Sequence, residues 1–258
     1  MPSRGLTTLI PVVVIAATFI AVALLGFDSS SGISRQQTKE EVTTLLADIP
    51  QHGTTLGSPR APLTLFLFAD IECPTVRRFV GSYLPSIIAT WVRTGAVKLE
   101  YRSLQTDTTN EQVFFEQEIA ALAAGRQNRL WNYFLTFVHQ QEHGFTNYAT
   151  DELLTDIASQ VPDLERVKWR RDRKDPSLSR QVALSLQDGH HQGFSYTPSF
   201  LLAYSSGSIN GHIAKAIVRN EVAASLRRDL QALSAEALQE GSEDIPALAP
   251  FGSSLRND

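Results

Sequence analysis

The residues with the most chemical reach lie in ADIECPTVRRF, Ala69 to Phe79. This stretch holds the only cysteine of the chain, Cys73, followed by Pro74, Thr75 and Val76. A lone cysteine makes no disulfide within its own chain, so Cys73 is either a reactive thiol or a small inert hydrophobe. It sits where a strand-like run ends, and Pro74 suits the first helical position, where its missing N–H costs nothing. The free amides and positive end of that helix would favour the thiolate, and at such positions a cysteine pKa can fall to roughly 3.5–7.5. Position alone leaves both readings open. Asp70, three residues before Cys73, either caps the following loop or takes part in proton transfer. Thr75 could add a minor hydroxyl hydrogen bond to the sulfur.

Other reactive side chains do not assemble into a pattern. His190 and His191 are adjacent and would face different sides of a helix, as surface residues. His139 and His143 have i, i+4 spacing but no visible third ligand, so no metal site is expected. A Cys–His pair brought together in space stays open, because such partners need not be close in the chain.

The elements that must carry Cys73 follow from periodicity. Leu63 to Ala69 is a continuous apolar run of strand length, expected to be buried on both faces. Phe79, Val80, Tyr83, Leu84, Ile87, Ile88, Trp91 and Val92 recur at helical spacing, with Gly81 and Pro85 as kinks and Gly95 as a stop. Ala96 to Leu104 alternates as a second strand, which completes a βαβ unit. Before it, Thr38 and Glu41 form a capping-box pattern for a short helix, and PQHGTTLGSPRAP reads as loop. After it, Thr109 and Gln112 open another helix. Further helices are expected at Leu130 to His139, Asp151 to Gln160, Leu164 to Arg173 and Ser177 to His190. SYTPSFLLAY, Ser195 to Tyr204, returns to strand chemistry, and Ser206 to Asn210 turns into a short partner strand. Val222 to Leu233 marks a last amphipathic helix.

Composition narrows the setting. The net charge of -4, with no long block of Lys and Arg, argues against nucleic acid as a partner. The mixed-sign KWRRDRKD, Lys168 to Asp175, reads as a solvated helix end. Leu6 to Phe27 carries no charged residue and has about the 20 residues needed to cross a bilayer. It exceeds the 7–15 or so residues of a signal h-region, so an uncleaved anchor is expected, with cleavage near Ala21–Ala23 as the alternative. Arg4 gives a weak bias toward a single-pass topology with the main domain extracytoplasmic. Residues 1–35 are thus anchor and Gly/Ser linker, 36–240 the domain, and 241–258 a disordered tail.

GSPRAPLTLFLFADIECP, then RRF, then VRTGAVKLEYRSL and much later TPSF, resemble the DsbA-type branch of the thioredoxin superfamily. The matching positions are Gly57, Pro59, Ala61, Pro62, Phe68, Asp70, Cys73, Pro74, Thr197 and Pro198. The resemblance implies an α/β thioredoxin-like fold, a mixed sheet flanked by helices, with a helical insertion at about 105–193. It implies that Pro198 is a cis-proline facing the sulfur and that Thr197 offers its backbone to an extended substrate peptide. Pro74, Thr75 and Val76 would line the same site, and no cofactor is expected. The family's second cysteine is replaced by Val76, so two-cysteine redox turnover is unavailable. Three functions remain in view: a monothiol forming mixed disulfides with a thiol- or disulfide-bearing protein or small thiol, a non-catalytic peptide-binding module, and a dimer linked through Cys73.

Overall fold

The computed structural model describes residues 30–141, 145–204 and 216–218. In chain order it comprises α1 (Ser30–Leu46), β1 (Gln51–His52), β2 (Thr55–Leu56), β3 (Leu63–Ala69), α2 (Pro74–Ser82) and α3 (Leu84–Ile87). A π-helical turn, Ile88–Val92, leads to β4 (Val97–Ser103). Then come α4 (Glu111–Gly125), α5 (Leu130–His139), α6 (Asp151–Gln160), α7 (Arg166–Asp172), α8 (Pro176–His191), β5 (Ser199–Tyr204) and β6 (Ala216–Val218). The chain divides into two units between Gln37 and Thr38, and the fold described here is that of the second.

The apolar run Leu63–Ala69 lies in the middle of a six-stranded sheet of order β1-β2-β4-β3-β5-β6. With Thr64 its one polar residue, such a strand has no polar face to offer water, so both faces must be covered. β4 pairs with it in parallel, Leu63 opposite Val97 through Ala69 opposite Ser103. β5 pairs antiparallel on its other edge. Along β4, Val97, Leu99, Tyr101 and Ser103 are buried, while Lys98, Glu100 and Arg102 are half-buried. This is the alternation that the sequence predicts. The connection between β3 and β4 breaks at Tyr83, whose φ of -125° interrupts the helix just before Pro85. Gly95 closes it with φ +78°.

The helices α4–α8 stand between β4 and β5, where the insertion is expected. α5 is buried all round, from Leu130 to Val138 with Asn132 and Thr136 among them, and so lies inside the helical layer. Its polar handles find partners: Trp131 Nε1 donates to Thr54 O at 3.0 Å and Tyr133 Oη to Leu154 O at 3.1 Å. Trp169 of α7 donates to Ala120 O at 2.8 Å. On α8, a Cβ at Gly189 would stand 2.9 Å from Leu104 Cδ1 and 3.3 Å from Phe68 Cδ1, so this helix approaches β3 only where a side chain is missing.

Several local expectations are corrected. The segment read as loop before β3 contains the β1–β2 hairpin, and β2 joins the sheet antiparallel to β4. Two-residue strands leave no periodic signal, and this one is held by the sheet edge, with Thr54 Oγ1 donating to Glu100 at 2.6 Å. Thr38 is buried within α1 rather than capping it, and the stretch read as a Gly/Ser linker is helical from Ser30 onward. Ser and Gly cost at most about 1 kcal/mol each in a helix, too little to forbid one. Asn110, not Thr109, caps α4: its side chain accepts from Val113 N at 3.2 Å. The stretch Leu6–Phe27, the turn at Ser206–Asn210, the helix at Val222–Leu233, the tail and His143 lie outside the described residues. Among the described residues no helix is long and apolar enough to cross a membrane.

Candidate functional site

β3 ends at Ala69, and the chain turns through Asp70–Cys73, closed by Cys73 N donating to Asp70 O at 3.0 Å. Pro74 is the first helical residue of α2 and Cys73 its N-cap, with extended φ and ψ of -65° and 124°. The Cys73 side chain makes no cap hydrogen bond. Its thiol donates instead to the carbonyl of Thr197 at 3.6 Å, across 124 residues of sequence. The Thr197–Pro198 bond is cis. The structure therefore brings Cys73, Thr197 and Pro198 together, with Val76 buried beside them in the core and Pro74 and Thr75 exposed.

Burial and nearby charge set the state of the sulfur. Cys73 is only 1% exposed, and its pKa is raised from 9.0 to about 11. Burial is the largest cause. The Asp107 carboxylate also raises it, while Thr197 and the Val76 N–H at the helix start pull the other way. The amide groups favour the thiolate as anticipated, but a helix end is worth about 0.3–1 kcal/mol, and burial of a charge can move a pKa by up to about 3–5 units. Desolvation wins: of the two readings that position leaves open, the structure has the closed, neutral thiol.

Two buried carboxylates hold the walls of this corner. Asp70 accepts from the backbone N–H groups of Thr106, Asp107 and Thr108 at 3.1, 3.0 and 2.8 Å. It also takes Thr108 Oγ1 at 2.6 Å, Gln117 Nε2 at 3.2 Å and Glu72 N at 3.2 Å. Of the two roles open for Asp70, the loop cap is the one seen. Glu72 accepts in the same way from Asn147 N, from Tyr148 N at 3.0 Å and from Ala149 N at 2.8 Å. Burial raises the Glu72 pKa, opposed by those N–H groups and reinforced by Asp70. Gln141 Nε2 donates to Ile71 O and, at 3.4 Å, to Cys73 O.

A family model described as thioredoxin matches residues 50–221, two-thirds of the sequence and the whole of this corner. The chain belongs to the thioredoxin family. Among solved structures, BdbD from Bacillus subtilis superposes with a TM-score of 0.57 at 16% identity, covering 71% of this chain and 99% of its own. Wolbachia pipientis α-DsbA1 gives 0.58 at 16%, covering 76% and 96%. Chlamydia trachomatis DsbA gives 0.58 at 17%, covering 72% and 93%. No curated protein matches. The fold is thus that of the DsbA-like thiol–disulfide oxidoreductases, thioredoxin-like with a helical insertion.

On this thioredoxin-like frame a third acid lies inside. Glu118 of α4 is fully buried, and its Oε2 accepts from Tyr101 Oη at 2.8 Å and Ser103 Oγ at 2.7 Å. Burial pushes its pKa up to about 8; those two hydrogen bonds oppose the shift and the Asp70 charge adds to it. His190 and His191 are exposed, as expected, and His139 is half-buried with its pKa lowered by burial. Among the described residues no group of three or more His, Cys, Asp or Glu could hold a metal ion.

Sequence reasoning missed Glu72, Thr106, Asp107, Gln141 and Asn147. Glu72 had a readable signal, since a carboxylate between the apolar Ile71 and Cys73 must find donors if it is buried. The others are loop residues whose roles depend on what they meet across the fold.

Proposed function

We propose that this DsbA-like domain receives extended segments of partner proteins at the Cys73/Thr197–Pro198 corner without running a two-cysteine redox cycle. The observation that carries this reading is the closed thiol: a sulfur that is 1% exposed and raised to a pKa of about 11 is a poor nucleophile at neutral pH. Val76 supplies no second sulfur to resolve a mixed disulfide. What the corner retains is a backbone turn that an extended peptide could pair with as a strand. The Thr197 carbonyl is occupied by the Cys73 thiol, so a partner strand must displace one weak hydrogen bond.

A second reading is supported by the position of the sulfur beside Thr197. Cys73 would attack a partner disulfide as the thiolate, forming one S–S bond and releasing one partner thiol, which takes up the proton. An outside thiol then frees Cys73. An unstructured fluorescent peptide with its cysteine permanently alkylated separates the two. Equal binding to the wild type and to Cys73→Ser supports partner binding. No binding of that peptide, with a reductant-sensitive adduct to the same peptide carrying an activated disulfide, supports the monothiol.

Membrane attachment by Leu6–Phe27, with the domain on the extracytoplasmic face, belongs to the same proposal, supported by the uncharged run in the sequence. The full chain should resist alkaline carbonate extraction from membranes, and a chain starting at Asp28 should not. Equal extraction of both would refute the anchor.

A further inference from the structure

The loop after β4 lays Thr106 and Asp107 against the cis-proline turn. Because Asp70 holds the backbone N–H groups of Thr106, Asp107 and Thr108, this stretch has little freedom. Thr106 Oγ1 lies 3.1 Å from Asp107 Oδ2. A carboxylate oxygen only accepts, so the Thr106 hydroxyl proton is committed to it. The 2.6 Å contact between Thr106 Oγ1 and Thr197 Oγ1 is then donated by Thr197. A directed chain results, from the Thr197 hydroxyl to Thr106 and on to Asp107, while the Thr197 carbonyl takes the Cys73 thiol. Asp107 is exposed, and its negative charge is felt at the sulfur, where it disfavours the thiolate.

We propose that Asp107 is the specificity-determining residue of this corner, selecting partner segments that bring a lysine or arginine beside the position facing Cys73. The proposal rests on the partner-binding reading and names its substrate class. A cation pairing with Asp107 draws the carboxylate away from Thr106, and the Thr106–Thr197 pair loses the acceptor that orients it. The paired cation also offsets the Asp107 charge that disfavours the thiolate. An anionic segment meets repulsion and leaves the chain of hydroxyls closed. A fixed charge of this kind rejects wrong partners as much as it attracts right ones.

Two small methanethiosulfonate reagents of opposite charge, trimethylammonioethyl and sulfonatoethyl, test this on the full chain, where Cys73 is the only thiol. In each case the Cys73 thiolate attacks the sulfenyl sulfur, a new S–S bond forms, and methanesulfinate leaves with the electron pair of the broken bond. The thiol proton goes to solvent. Adduct mass gives the rates, and a free cysteine peptide gives the intrinsic ratio of the two reagents. In the wild type the cation-to-anion ratio should exceed the peptide's by about tenfold or more. It should fall to within about twofold of the peptide's in Asp107→Asn and invert in Asp107→Lys. Unchanged thermal midpoints in these exposed-site variants verify folding. A wild-type ratio equal to the peptide's, a ratio unaltered in Asp107→Asn, or no modification of any of the three proteins overturns the proposal. Failure of the alkylated peptide to bind the wild type sinks the partner-binding reading while leaving this charge ratio intact, so the two failures are distinguishable.

Discussion

Titration of Cys73 puts the opposing forces at the site into one measurable number. The start of α2 pulls the thiol toward ionisation through the Val76 N–H and the positive helix end, an effect worth about 0.3–1 kcal/mol, less than one pH unit. Burial and the Asp107 charge push the other way and leave the pKa at about 11 instead of 9.0. Two units correspond to about 2.7 kcal/mol and to a hundredfold smaller thiolate population at pH 7. A thiolate of higher pKa is also more nucleophilic, by about eightfold for two units at a Brønsted slope of 0.4–0.5. Ionisation alone therefore slows the reaction at pH 7 by about tenfold, and burial adds to this. Iodoacetamide consumption followed by mass, with Cys73→Ser as a blank, should give a rate that is still climbing at pH 10, with its inflection near 11. A short cysteine peptide should show its inflection near 8.5. An inflection at or below about 8 in the folded protein would refute the dominance of burial.

Three further outcomes follow from the same network. Asp70→Ala strands the buried backbone N–H groups of Thr108 and Glu72, with those of Thr106 and Asp107 nearer the surface, and should cost about 3–5 kcal/mol while speeding Cys73 labelling; an unchanged urea midpoint would count against the carboxylate as the clamp. Glu118 has a folded pKa of about 8, above its ordinary 4.5, so the folded protein keeps a proton that the unfolded chain has lost between these values. Its contribution to stability is full below pH 4.5 and falls by about 1.4 kcal/mol per pH unit until about pH 8. Urea unfolding from pH 5 to 8 should show a shallower decline for Glu118→Gln, and parallel declines would contradict the assignment. Val76→Cys restores a Cys-x-x-Cys at the start of α2 and should yield a species 2 Da lighter under oxidised glutathione, an intramolecular disulfide. Persistent glutathione adducts without that loss would show that the two positions cannot be bridged.

The clearest local patterns appear in the structure almost unaltered. Leu63–Ala69 is a strand buried on both faces because six of its seven residues are apolar, and Leu130–His139 and Asp151–Gln160 have the bounds that their periodicity implies. Pro74 begins α2 and Tyr83 breaks it just ahead of Pro85, since proline acts on its own backbone and immediate neighbours. The placement of Cys73 opposite Thr197–Pro198 was legible only through resemblance, because the two segments share no local pattern. The β1–β2 hairpin and the Asn110 cap were not legible, since a two-residue strand and a choice between neighbouring caps are settled by what lies opposite them.

What the sequence determines by itself about this protein is a lone thiol at a strand-to-helix junction, a missing second cysteine at Val76 and the strand–helix–strand frame that carries them. What the tertiary structure alone decides is whether that thiol is ionised and reachable. The sulfur meets Thr197 across 124 residues and Asp107 on a loop that Asp70 holds in place. Solvent access and electrostatic fields depend on distance in space, and chain order does not record them; so a position that favours the thiolate locally holds a buried, neutral thiol in the fold.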